Sequence, residues 1–227
     1  MALLSMALFG SRARGDDGAG SDVDILLITQ EAKPRMVSTN RMSFSFYPAS
    51  WLLDKATKGD LFVLHLVREG KVIYDERGDF ASMSKAFRLR KSYGENVEQA
   101  SSLGRFLVRY GVRFEDTVAL NKRIAWCVRT ILIARAAEAG NAIFSAKALA
   151  AFAGSSSVEE LIKNKDSLEI DSSRVRDFAG FLDRWGESNA SDAWQPNRYL
   201  EHFRATGNEL ALRTYFVGIE SANAEYF

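Results

Sequence analysis

The chain has 227 residues, 47% of them hydrophobic and 26% charged, with 30 Lys and Arg against 29 Asp and Glu. That composition belongs to a globular chain of one large or two small domains, and a net charge of +1 singles out neither nucleic acid nor an acidic membrane as partner. One cysteine, Cys127, excludes an internal disulfide and a thiolate zinc cluster, and no apolar run of about 18 residues exists to span a bilayer, so the expectation is a cytoplasmic protein without a membrane partner.

The N-terminal MALLSMALFG lacks a basic start and reads as a first strand rather than a signal peptide. DVDILLIT reads as a buried strand, and RMSFSFYP alternates as a third one that stops at Pro48. Pro48 to Thr57 predicts a short helix. Asp60 predicts the cap of a second helix, LFVLHLVRE, closed by Gly70, and KVIYDE a last short strand. Strands mixed with helices over residues 1–79 indicate a small mixed-sheet α+β module. Residues 80–227 read as an all-α bundle, with helices expected at 82–93, 95–110, 115–139, 145–153, 158–164, 172–187 and 196–217. The 115–139 segment is apolar on more than one face, which suits the centre of a bundle.

The stretch ALFGSRARGDDGAGSDVDILLI carries the chemistry. On a strand, alternate side chains share a face, so Asp22 and Asp24 lie on one side, roughly 7 Å apart at Cα, while Val23 and Ile25 turn to the core. Two adjacent carboxylates repel unless a cation lies between them. Mg²⁺ commonly takes one or two carboxylates together with substrate phosphates. Gly10 allows a tight turn and a close backbone approach. Exposed N–H groups there, with the Ser11 hydroxyl, suit phosphate oxygens, and Arg12 and Arg14 stand nearby as counter-charges. Neither a P-loop nor G-x-G-x-x-G is spelled.

Gly10-Ser11, Arg14-Gly15 and Ser21-Asp22-Val23-Asp24 followed by Ile-Leu-Leu-Ile resemble the signature of polymerase-β-type nucleotidyltransferases. The nearest likeness is to the minimal bacterial group that includes aminoglycoside nucleotidyltransferases and antitoxin-like members. The resemblance implies transfer of a nucleoside monophosphate from an NTP, ATP first, to a hydroxyl acceptor. It implies catalytic Mg²⁺ on Asp22 and Asp24, with nucleotide contacts from Gly10, Ser11, Arg14 and Ser21. A homodimer sharing the site is also expected. The helical remainder resembles HEPN-type domains in outline.

The family's third carboxylate, on a later strand, has no counterpart in RMSFSFYP. The aligned position is Ser45, with Ser43 next. That departure keeps a rival reading open: a nucleotide-binding regulatory or antitoxin-like protein with weakened chemistry. Arg105, Arg109 and Arg113 would line one face if their helix continued past Gly111. Arg198 and His202 resemble the arginine–histidine pair of HEPN ribonucleases only in outline, at a shorter spacing.

Overall fold

The computed structural model describes residues 2–18, 21–190 and 193–220. They form two compact units, residues up to Lys91 and residues from Ser92 onward. Among the described residues no helix is long and apolar enough to cross a membrane.

The first unit is a five-stranded mixed sheet with helices on one face. Its strands are β1 (Leu3–Phe9), β2 (Val23–Thr29), β3 (Arg35–Thr39), β4 (Met42–Pro48) and β5 (Lys71–Tyr74), in the order β3-β4-β2-β1-β5. β2 runs parallel to β4 and antiparallel to β1, and the remaining pairs are antiparallel. The sequence pattern missed β3. All five of its residues are exposed, so this edge strand carries no apolar alternation to betray it. It turns into β4 at Asn40, a left-handed residue with φ +48°.

The helices are α1 (Gly10–Arg14), α2 (Ala49–Thr57), α3 (Leu61–Glu69) and α4 (Asp79–Ala86). Ala7, Phe9, Leu26 and Ile28 from the sheet bury against Leu52, Ala56, Val63, Leu66, Phe80 and Met83. Full burial of a side chain such as Leu26 or Leu66 contributes about 1.5–3 kcal/mol. On the other face Ile25, Leu27 and Phe46 cluster with Met6, Leu8, Val23 and Phe44. Asp60 caps α3 as expected, accepting from the N–H groups of Phe62 at 2.9 Å and Val63 at 3.4 Å.

The helix expected at 82–93 instead runs from Asp79 to Ala86. Asp75 fixes its start by accepting from the N–H groups of Phe80 and Ala81 at 3.0 and 3.1 Å. Beyond it the chain is tied to the end of α2. The Arg88 N–H donates to the Ala56 carbonyl at 3.1 Å, and Arg90 Nε to the Lys58 carbonyl at 2.6 Å. These ties, with Phe80 and Met83 in the core, place α4 in the first unit.

The second unit is helical: α5 (Gly94–Tyr110), α6 (Thr117–Glu138), α7 (Ala146–Ala153), α8 (Ser156–Lys163), α9 (Ser172–Trp185), α10 (Pro196–Ala205) and α11 (Glu209–Tyr215). α6 buries residues all round, Cys127 among them, which pushes the thiol pKa up. Phe106 joins the rings of Tyr110, Tyr199, Phe203 and Tyr215. The expected 196–217 helix is two. Gly207 takes φ +61°, and Asn208 caps α11 by accepting from the Ala211 N–H.

Candidate functional site

The site lies where β1 ends beside the start of β2. Phe9, the last residue of β1, is the registered partner of Asp24. The next residue, Gly10, opens α1 with φ +77°, a backbone state that favours glycine. A Cβ added to Gly10 would lie 2.5 Å from Asp24 Oδ2. The carboxylate therefore occupies the space that a side chain would need, and the glycine permits the approach. The expected turn is in fact the beginning of a one-turn helix. No side chain caps that start, and the Ser11 hydroxyl is taken by no hydrogen bond among the described residues.

Asp24 is half-buried, on the helix-covered face with Leu26 and Ile28. Asp22 is exposed one residue before β2 and has no ion pair or hydrogen bond among the described residues. Val23 between them belongs to the opposite-face cluster, and its N–H donates to the Arg41 carbonyl at 2.7 Å. No group of three or more His, Cys, Asp or Glu suited to hold a metal ion occurs among the described residues.

Ser21 closes the loop before the aspartates. Its Oγ accepts from the Gly18 N–H at 3.0 Å, its own N–H donates to the Gly18 carbonyl at 2.9 Å, and its carbonyl accepts from Arg12 Nη2 at 3.0 Å. Arg12 also pairs with Asp17 at 3.1 Å, while its Nε is buried with no partner in the described structure. Arg14 is held by Asp16 at 3.1 Å and Glu69 at 2.5 Å. Burial opposes its charge, but the hydrogen bond to Asp16 and the field of Glu69 outweigh that, so its pKa is raised.

The parallel ladder corrects the expected place of the missing acid. Asp24 is registered with Ser43, whereas Ser45 lies beside Leu26 and is 2% exposed. Ser43 is the β4 position nearest the aspartates, and Ser45 belongs to the core. Sequence alternation put both on one face but could not supply the stagger between strands. The sequence reading also left Glu69 unassigned. Its signals were an acid in the last turn of a helix, where the dipole opposes it, and the i,i+4 spacing from His65.

In the second unit, α5 stops at Tyr110 and Gly111–Arg113 form a 3-10 turn, so the arginine face does not continue. Arg105 pairs with Asp183 at 2.8 Å. Arg198 lies 4.5 Å over the Trp194 ring, and His202 shares a 2.9 Å hydrogen bond with Glu98.

The first unit is thus a mixed sheet whose Gly-Ser helix start is pressed against one of two neighbouring aspartates. Residues 3–86, nearly all of the first unit, match the model of the nucleotidyltransferase domain family. A crystal structure of a nucleotidyltransferase-like protein from Exiguobacterium sibiricum 255-15 is similar at 14% identity, with a TM-score of 0.31, over 94% of this chain and 72% of that one. No curated protein matches the chain.

Proposed function

We propose that the protein transfers a nucleoside monophosphate from an NTP, ATP first, to a hydroxyl acceptor in a Mg²⁺-dependent reaction. The acceptor oxygen bonds to the α-phosphorus, the bond from that phosphorus to the β-phosphate's bridging oxygen breaks, and pyrophosphate leaves. The acceptor proton passes to water. One observation supports this reading above the others: the Asp24 carboxylate lies against the bare Cα of Gly10, so one of the two acids meets the Gly-Ser turn.

The donor set fits the ion. Asp22 and Asp24 offer hard oxygen ligands, and phosphate oxygens with water complete a shell of the kind Mg²⁺ prefers. Bound there, the ion would neutralise charge on the phosphates. The protein's own part is positioning. Gly10 admits the phosphates to the backbone, the Ser11 hydroxyl donates to an oxygen, and Arg14, held by Asp16 and Glu69, ends the turn. Ser21, gripped by Arg12, sets the chain that leads into Asp22.

A second reading has its own support: Ser43, not an acid, stands beside Asp24 on β4. General-base assistance is worth about 10²- to 10⁴-fold, so a site without it would bind nucleotide and turn over slowly, as a regulator would. Calorimetry with Mg²⁺–ATP tests the common ground. Asp22→Asn and Asp24→Asn should each abolish metal-dependent binding while the fold survives. Unchanged affinity in both would remove the aspartates from the site.

A further inference from the structure

Glu69 is 9% exposed in its side chain and sits at the C-terminal end of α3, where the helix dipole disfavours an acid. Its Oε2 is shared by two partners, Arg14 Nη1 at 2.5 Å and His65 Nε2 at 2.6 Å. Arg14 is the last residue of α1. His65 presents its ring edge-on to Phe9, 5.7 Å between centroids, and Phe9 is the residue just before Gly10. The two partners of one carboxylate oxygen therefore reach the residues on either side of the Gly10–Ala13 segment.

That segment needs outside support. α1 has five residues and no side-chain cap, and one turn of helix does not hold itself in water. The other partner of Arg14, Asp16, has a side chain 40% exposed, so its pull is weakened by solvent.

We propose that Glu69 is a positioning residue for the phosphate turn. Through Arg14 it fixes α1, and through His65 it braces Phe9, so that Gly10 and Ser11 stay seated against Asp24. The catalytic meaning of this role rests on the nucleotidyl-transfer reading above; the structural role does not.

The experiment has two readouts. In the nucleotide-free protein, the amides of Gly15 and Asp16, which donate to the Ser11 carbonyl at 2.9 and 3.2 Å, report the order of α1 by hydrogen exchange. Calorimetry with Mg²⁺–ATP reports the turn's competence. Glu69→Gln is expected to speed exchange at both amides by about tenfold and to weaken ATP binding by a similar factor, as is Arg14→Gln, with the double variant no worse than either single. Removing one partner of an enclosed pair can unfold a protein; the double variant leaves neither Glu69 nor Arg14 as a lone charge in the enclosure, only the more exposed Asp16, and keeps the test open if a single fails to fold. Exchange at Gly15 and Asp16 that stays at the wild-type rate in Glu69→Gln and in the double variant overturns the proposal. So do losses that multiply in the double variant. A wild-type protein that binds no Mg²⁺–ATP, while α1 exchange still responds to Glu69→Gln, supports the positioning role and defeats the nucleotide reading instead.

Discussion

Gly10→Ala, with Gly15→Ala as its control, separates backbone strain from displacement of Asp24. The two glycines hold nearly the same backbone angle, φ +77° and +78°. A Cβ in that region costs about 1–2 kcal/mol, so urea denaturation should show a similar loss in both variants. Around Gly15 nothing lies within 4 Å of the added carbon, whereas at Gly10 it meets Asp24 Oδ2 at 2.5 Å. Ordinary contact starts at 3.4 Å, so the carboxylate must retreat by about 0.9 Å. A misplacement of about 1 Å in a positioning group can cost up to about 10²-fold. Nucleotidyl transfer, followed by pyrophosphate release, should therefore be slowed about 10- to 100-fold in Gly10→Ala and kept in Gly15→Ala. Wild-type turnover in Gly10→Ala would refute the placing of Asp24 at the reacting phosphate. Equal losses in both variants would reduce the effect to strain.

Ser43→Asp should raise turnover toward the lower end of the ~10²- to 10⁴-fold range for an added base, with nucleotide affinity little changed; Ser45→Asp should bring no gain and should destabilise the unit, because it buries a carboxylate beside Leu26. A gain from Ser45→Asp alone, measured by pyrophosphate release, would show the register to be wrong. Asp75 is expected to give a pH signature: burial raises its pKa, but the Ser5 hydroxyl and the N–H groups of Phe80 and Ala81 outweigh this and hold it below the ordinary 3.8. A lowered native pKa stabilises above the ordinary value and ceases to do so as pH falls through the native one. Asp75→Ala should thus cost about 1 kcal/mol at neutral pH, the cost of removing a side-chain cap, and a gap to wild type that does not narrow in acid would contradict this.

The sequence made the central strands and the site legible for a physical reason. β2 is apolar through its buried length, and Asp24 inside it, with Asp22 just ahead of it, breaks that pattern. Asp60 and Gly70 punctuate α3 with side-chain and backbone chemistry that acts locally. β3 was hidden because an edge strand exposed on both sides has no pattern to show. The limits of α4 depended on Asp75 and on the tie between Arg88 and Ala56, contacts between segments that local periodicity does not carry. The same holds for the site. Asp22, Asp24, Gly10 and Ser11 form a local motif, whereas the pairing of Ser43 with Asp24 and the grip of Glu69 on Arg14 arise only when distant segments meet.

Following the α-phosphate tests nucleotidyl transfer most directly. The protein is incubated with Mg²⁺, hydroxyl acceptors and ATP labelled at either the α- or the γ-phosphate, and bound label and pyrophosphate are counted. The expected result is α-label on the acceptor, one pyrophosphate released per label, and neither product from the Asp22→Asn/Asp24→Asn double variant. Label arriving from the γ-phosphate, or α-label transfer that survives loss of both aspartates, would contradict it.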